Sequence, residues 1–463
     1  MTTEARARPV PAALSLRPFT AAHASLERWA RAVEALPLVQ ASGEVVRVSG
    51  PVVQARLPSV RVGEMCRIGP LAHSGAFLEC EVIGFQEHLA MLSPFGGTHG
   101  IGPGTPVQPL GRPHGIRVGA HMLGQLLDGF GKPMVGTLDD DPVSVEVEVR
   151  GSGPSVSRRR QVDEALPTGV RVIDGMLTFG KGQRMGVFAP PGCGKTTLMN
   201  SIGMAAQTDV VVFALIGERG RELAEMALLL DHPHMKERAV IVGATSDRSA
   251  GERMRAAYTA TAIAEGFRDQ GKSVLLLVDS LTRFARAVRE TSIAAGEPVG
   301  RSGLPASVYT ELPRLIERAG NTREGSISAL YMVLAEGAVK DDPIAEEVRS
   351  LVDGHIVLSR SLSEKGIFPA INVLESLSRL MPDVTQTGHM AAARRIRRLM
   401  ARYEEMELLL RLGEIKPGVD RETDLAIESN ADILEFLQQG LGTPSSLDDA
   451  RDGLETIARQ YAA

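Results

Sequence analysis

One segment limits what this chain can fold into: Ala189-Pro190-Pro191-Gly192-Cys193-Gly194-Lys195-Thr196-Thr197. It follows the apolar run Met185–Phe188 and leads into the helix-like Leu198-Met199-Asn200. Strand, glycine loop and helix in that order make a phosphate-binding loop. The glycines let the backbone curl, so that successive N–H groups from Gly192 to Thr197 face a phosphate. The helix N-terminus adds partial positive charge there. Lys195 is placed to span the β- and γ-phosphates of a nucleoside triphosphate, and Thr196 to ligate Mg²⁺. Ala189 stands where the strict pattern has glycine, the one departure from it.

A loop of this kind needs strands around it, and the sequence supplies them. Apolar runs at Arg184–Ala189, Val210–Ile216, Ala239–Gly243, Ser273–Asp279 and Ser328–Leu334 alternate with helical patterns. That alternation predicts a parallel sheet covered by helices, a RecA-like α/β core spanning 114–380. The run Val274–Val278 ends in Asp279, expected at the tip of a strand beside the phosphate-loop strand, where outer-shell Mg²⁺ binding needs a carboxylate. Val211–Ile216 leads into Gly217-Glu218-Arg219-Gly220-Arg221-Glu222. Hydrolysis needs a carboxylate to orient and polarise water, and Glu218 is the candidate. A surface cluster of Arg219, Arg221 and Glu222 is the other reading of that segment.

The flanks have different periods. Residues 1–38 read as an arm followed by an amphipathic helix, with Leu26, Trp29, Val33 and Leu36 on one face. Residues 39–113 carry short Val-rich segments broken by Gly and Pro, which predicts a small β-barrel or sandwich. Residues 381–463 read as a helical domain, with helices over Ala391–Leu412 and Ile427–Leu441.

Composition narrows the function. The net charge of −5 gives no general pull toward nucleic acid or anionic lipid. Three scattered cysteines fit a reducing compartment. No run approaches the ~20 apolar residues that span a bilayer, and the N-terminus lacks a signal-peptide core. The expected place is the cytoplasm, with membrane association through partners only. Cys193, inside the loop, is expected to react with thiol reagents in the absence of nucleotide, because N–H dipoles favour a thiolate.

Several segments together resemble the ATPases of type III protein secretion, relatives of the flagellar export ATPase and of the catalytic subunit of rotary ATP synthases. These are the phosphate loop, Gly217–Glu222, Asp279-Ser280-Leu281-Thr282-Arg283, Gly296-Glu297-Pro298, Asp353–Arg360 and Phe368-Pro369-Ala370-Ile371. The likeness covers roughly residues 39–460 and is densest over 165–380. That family accepts alanine at the position of Ala189. Cys193–Asn200 and Ala345–Ser350 look more like the injectisome branch than the flagellar one.

The resemblance implies ATP with Mg²⁺ as the nucleotide. By the same likeness Glu218 matches the catalytic carboxylate and Arg219 its neighbour in the motif. Arg360 matches an arginine finger reaching the γ-phosphate of the adjacent subunit. Phe368 matches the aromatic against adenine. The implied assembly is a homohexamer with the barrels as a collar and a central coiled-coil stalk protein in the pore, which the loop Glu336–Asp342 would approach. Peripheral stator subunits would bind the N-terminal region, with the Leu26–Leu36 stripe as a candidate contact. The C-terminal helices would face an export gate and receive chaperone–effector complexes at the cytoplasmic face of the inner membrane. Two other classes compete. A ring-shaped RNA translocase would want stacking aromatics in the barrel, which holds only Phe77, Phe85 and Phe95 in residues 39–113. A non-catalytic ring subunit would lack Glu218.

Overall fold

The computed structural model describes residues 42–71, 75–139, 141–300, 302–335, 342–415, 418 and 420–462. The helix expected over Leu26–Leu36 lies outside these residues, as does all of the 336–342 loop except Asp342.

Strands β1 (Gly43–Ser49), β2 (Val52–Arg56), β3 (Glu64–Ile68), β4 (Leu78–Gln86), β5 (Leu89–Pro94) and β6 (Pro106–Pro113) close into an antiparallel barrel, in the order β1-β2-β5-β4-β3-β6. Its interior follows the two-residue period of a strand: Val53 and Ala55, Cys66 and Ile68, Cys80 and Val82, Ala90 and Leu92 all point inward. Cys66 and Cys80, far apart in sequence, are directly opposed across β3 and β4.

Beyond the barrel, β7 (Gly115–Val118) pairs with β9 (Val145–Glu148), and β8 (Leu126–Leu127) joins the edge of the main sheet. That sheet contains β10 (Arg184–Ala189), β11 (Val210–Glu218), β12 (Ala239–Thr245), β13 (Ser273–Asp279), β15 (Ser326–Leu334), β16 (Gly354–Leu358) and β17 (Ile371–Ser378). The order is β17-β16-β10-β15-β13-β11-β12-β8, with the short β14 (Gly320–Asn321) paired to β15. Pairings are parallel except β16–β17 and β14–β15. The central strands are buried on both faces, as covered parallel sheets are. Val210, Val212, Ala214 and Ile216 enter one core, and Val211, Phe213 and Leu215 enter the other. Helices therefore pack on both sides, and the strand ends line up along one edge.

The C-terminal region has three long helices, Thr387–Leu412, Arg421–Leu437 and Leu447–Gln460. The sequence pattern does not announce the last of them, because Asp448, Asp449, Arg451 and Asp452 dilute its apolar stripe; Ala450 and Leu454 alone on it are fully buried.

Barrel and core are pinned together at one buried spot. Arg255, on the Ala250–Asp269 helix, pairs with Glu81 of β4, and both are buried. Its guanidinium lies over the Phe95 ring at 5.4 Å, and Phe95 stacks on Phe130 with centroids 4.1 Å apart. Phe95 is thus an interdomain residue and not a free stacking platform.

Candidate active site

The phosphate loop leaves β10 and enters the Lys195–Ala205 helix. Gly194 caps that helix at φ +81°, a left-handed conformation that a side chain would strain. Lys195 Nζ pairs with the Asp279 carboxylate at the end of β13. The sequence pattern sets β13 directly beside the loop strand, but β15 lies between β10 and β13. The length of the lysine side chain, rather than strand adjacency, closes that gap. Asp279 is only 2% exposed, and a carboxylate this deep needs a cation beside it.

Glu218 ends β11, the other neighbour of β13. Gly217 before it sits at φ +68°, and a Cβ there would come 3.0 Å from Arg283 Cδ. The missing side chain admits Arg283, whose Nε lies 3.1 Å from Glu218 Oε1. Glu218 is 7% exposed. Burial pushes its carboxyl up to about 7; Asp279 adds to this, while Lys195 and Arg283 oppose it. A carboxyl poised near neutrality can take a proton from water. The charges on Lys195 and Asp279 both act on Glu218, so the loop lysine and the candidate base share one site.

Thr196 lies in the first turn of the loop helix. Its hydroxyl and the Asp279 carboxylate are hard oxygen donors that suit Mg²⁺. Among the described residues no group of three His, Cys, Asp or Glu forms a cage. A magnesium ion fits as one held by few protein groups together with phosphate oxygens.

Phe368, 44% exposed, presents its ring edge 4.0 Å from where a Cβ on Gly194 would stand, which sets it beside the loop. Cys193 differs from expectation. It is 2% exposed, and burial raises its thiol, with Arg360 opposing and Glu364 adding. The loop dipoles do not make it a thiolate.

The structure does not bring two of the expected arginines into this cluster. Arg219 turns outward, 3.9 Å from Glu222. Arg360 is exposed and pairs with Glu364 at 3.1 Å. It follows β16, the neighbour of β10, and its charge reaches Cys193 of its own loop. Arg283 is the residue that sequence reasoning missed. Its signal was present: it falls one helical turn after Asp279, whose next residue, Ser280, caps the Leu281–Ala294 helix.

Known proteins match the chain domain by domain. Residues 169–378 match the ATP synthase alpha/beta family nucleotide-binding domain, and 45–111 match that family's beta-barrel domain. Residues 385–456 match the T3SS EscN ATPase C-terminal domain. The type 3 secretion system ATPase of Pseudomonas savastanoi pv. phaseolicola is 49% identical, covering 93% of this chain and 98% of that one. The chain belongs to the type III secretion system ATPases. Another member, the SPI-1 type 3 secretion system ATPase of Salmonella typhi, is 44% identical over 89% of this chain and 96% of its own. The flagellum-specific ATP synthase of Bacillus subtilis is 42% identical, over 90% and 94%. The assembled ATPase EscN of the enteropathogenic E. coli type III secretion system superposes with TM-score 0.84 and 43% identity, covering 90% of this chain and 99% of that one. EscN in complex with its central stalk EscO gives 0.81. As a type III secretion ATPase the chain is an enzyme with ATP as its substrate. No described helix is long and apolar enough to cross a membrane.

Proposed function

We propose that this chain hydrolyses ATP with Mg²⁺ as a homohexameric ring, and so releases chaperones from export substrates and unfolds them at the base of an injectisome. The observation that carries the reading is the convergence of Lys195, Asp279, Glu218 and Arg283 at one sheet edge. Backbone N–H groups of Gly192–Thr197 bind the phosphates, and Lys195 neutralises the β- and γ-oxygens. Thr196 and Asp279 would hold Mg²⁺, which would supply positive charge against the phosphates. Glu218 aims a water and takes its proton, while Arg283 holds Glu218 in place. Phe368 flanks the base.

Glu218→Gln is expected to bind ATP and to lose at least ~10²-fold in turnover, the scale of a lost general base. Normal turnover in that variant would remove the assignment.

The ring rests on likeness to assembled EscN, and the stalk on the EscN–EscO complex. Stators, export gate and chaperone–effector complexes complete the partner set, at the cytoplasmic face of the inner membrane. Arg360 is assigned to the neighbouring chain's γ-phosphate on family likeness. Its place beside its own loop makes the own-chain site the alternative. Mixed rings of Arg360→Ala and Glu218→Gln subunits decide: a finger acting across the interface restores activity in the mixture, and one acting within its own chain leaves it dead. The flagellar reading draws on the Bacillus subtilis relative, and the EscN-type C-terminal domain favours the injectisome.

A further inference from the structure

Phe368 is exposed and belongs to a loop, so something must hold it against the phosphate loop. Local backbone bonds, Ile367 N to Leu362 O at 3.0 Å and Ser359 N to Ala370 O at 2.8 Å, fix the flanks of the loop, and the bond to Phe368 itself comes from the far end of the chain. Gln439, just past the Arg421–Leu437 helix, donates its backbone N–H to Phe368 O at 2.9 Å. Its side-chain Oε1 accepts from Arg171 N at 2.7 Å. Its Nε2 donates to Gly169 O at 2.8 Å and to Thr443 O at 2.7 Å. One residue thus ties three segments that sequence keeps far apart.

Neighbouring contacts stiffen the same joint. Arg171 Nε donates to Phe436 O at 2.7 Å and Nη2 to Glu435 O at 3.0 Å, closing the carbonyl end of that helix. Its guanidinium lies over the Phe436 ring at 5.5 Å. Gly175 has no side chain where Phe436 presses, since a Cβ there would stand 2.8 Å from Phe436 Cζ. A fully bonded amide at such a junction has one low-energy placement.

We propose that Gln439 is a positioning residue for the base pocket: its side-chain hydrogen bonds to Arg171, Gly169 and Thr443 seat the backbone N–H that bonds Phe368 O, hold Phe368 beside the phosphate loop and so set ATP affinity. This rests on Phe368 being the ring that meets the base. Gln439 itself need not touch nucleotide. Gln439→Glu keeps the acceptor facing Arg171 N, but sets a carboxylate oxygen against the carbonyls of Gly169 and Thr443.

The test is steady-state hydrolysis of ATP by the full chain. Gln439→Glu is expected to raise KM for ATP about tenfold with kcat within about twofold, the size of losing one or two hydrogen bonds that fix a wall. A general loss of folded protein instead lowers apparent kcat and leaves KM unchanged. In a Phe368→Ala background the same substitution adds little to KM. Should Gln439→Glu fail to fold, Gln439→Met reads the same loss without the added charge. A fall in kcat with KM unchanged overturns the proposal, as does an equal rise in KM with Phe368 absent. If Phe368→Ala alone leaves KM unchanged, the base-pocket reading itself falls, and that outcome is separate from the behaviour of Gln439.

Discussion

Glu218 should make the folded protein less stable as pH rises, and glutamine in its place should remove that cost. Its carboxyl moves from an ordinary 4.5 to about 7 on folding. A carboxyl raised in the folded state stabilises it fully below 4.5. That contribution drains away as pH climbs to about 7 and is gone above it. At ~1.36 kcal/mol per pKa unit the whole loss is about 3 kcal/mol. Linkage puts about a quarter of it already lost at pH 5 and nearly all of it lost at pH 8. Glutamine has nearly the same shape and does not titrate. The stability of Glu218→Gln relative to the parent should therefore improve by about 2–3 kcal/mol between pH 5 and pH 8, whatever its baseline. Denaturant unfolding at both pH values, at protein concentrations where rings do not form, reads this as a widening gap between midpoints. A gap that stays constant would mean that Glu218 titrates as a solvated carboxylate, and it could then no longer be held as a poised base.

Three further outcomes are expected at other contacts. Arg283→Gln removes a cation 3.1 Å from Glu218, so the acidic limb of the kcat/KM profile should move up from about 7 by roughly one unit or more; a midpoint that does not move separates Arg283 from Glu218. Arg255→Met strands Glu81 in the interior and should cost about 3–5 kcal/mol in an unfolding titration, while adding Glu81→Leu should recover most of it. Cys193 should be alkylated far more slowly than a free thiol at pH 8 with or without ATP-Mg²⁺, because it is buried and its thiol is raised; fast labelling followed by mass spectrometry would contradict that.

Features that depend on local order are legible in the sequence. The phosphate loop, the buried runs of the sheet and the carboxylates at strand tips are each read from adjacent residues. Features made by long-range pairing are not. Nothing in Ser326–Leu334 says that this strand inserts between the loop strand and Asp279. Arg283 looks like one arginine among many until Gly217, from another strand, leaves room for it. Cys193 misleads because a loop dipole argues for a thiolate, whereas burial, invisible in the spacing, argues more strongly against it. Likeness alone places Arg360, and the structure adds that its charge is felt on its own loop.

The six N-terminal strands return on themselves, so their backbone groups have no unpaired rim to offer. Copies of this chain brought side by side at that end cannot extend one another's sheets into a runaway filament. Side chains such as the half-exposed Phe77 and Phe85 are what this end presents instead. Closure of this kind favours association of a counted number of copies over open-ended growth.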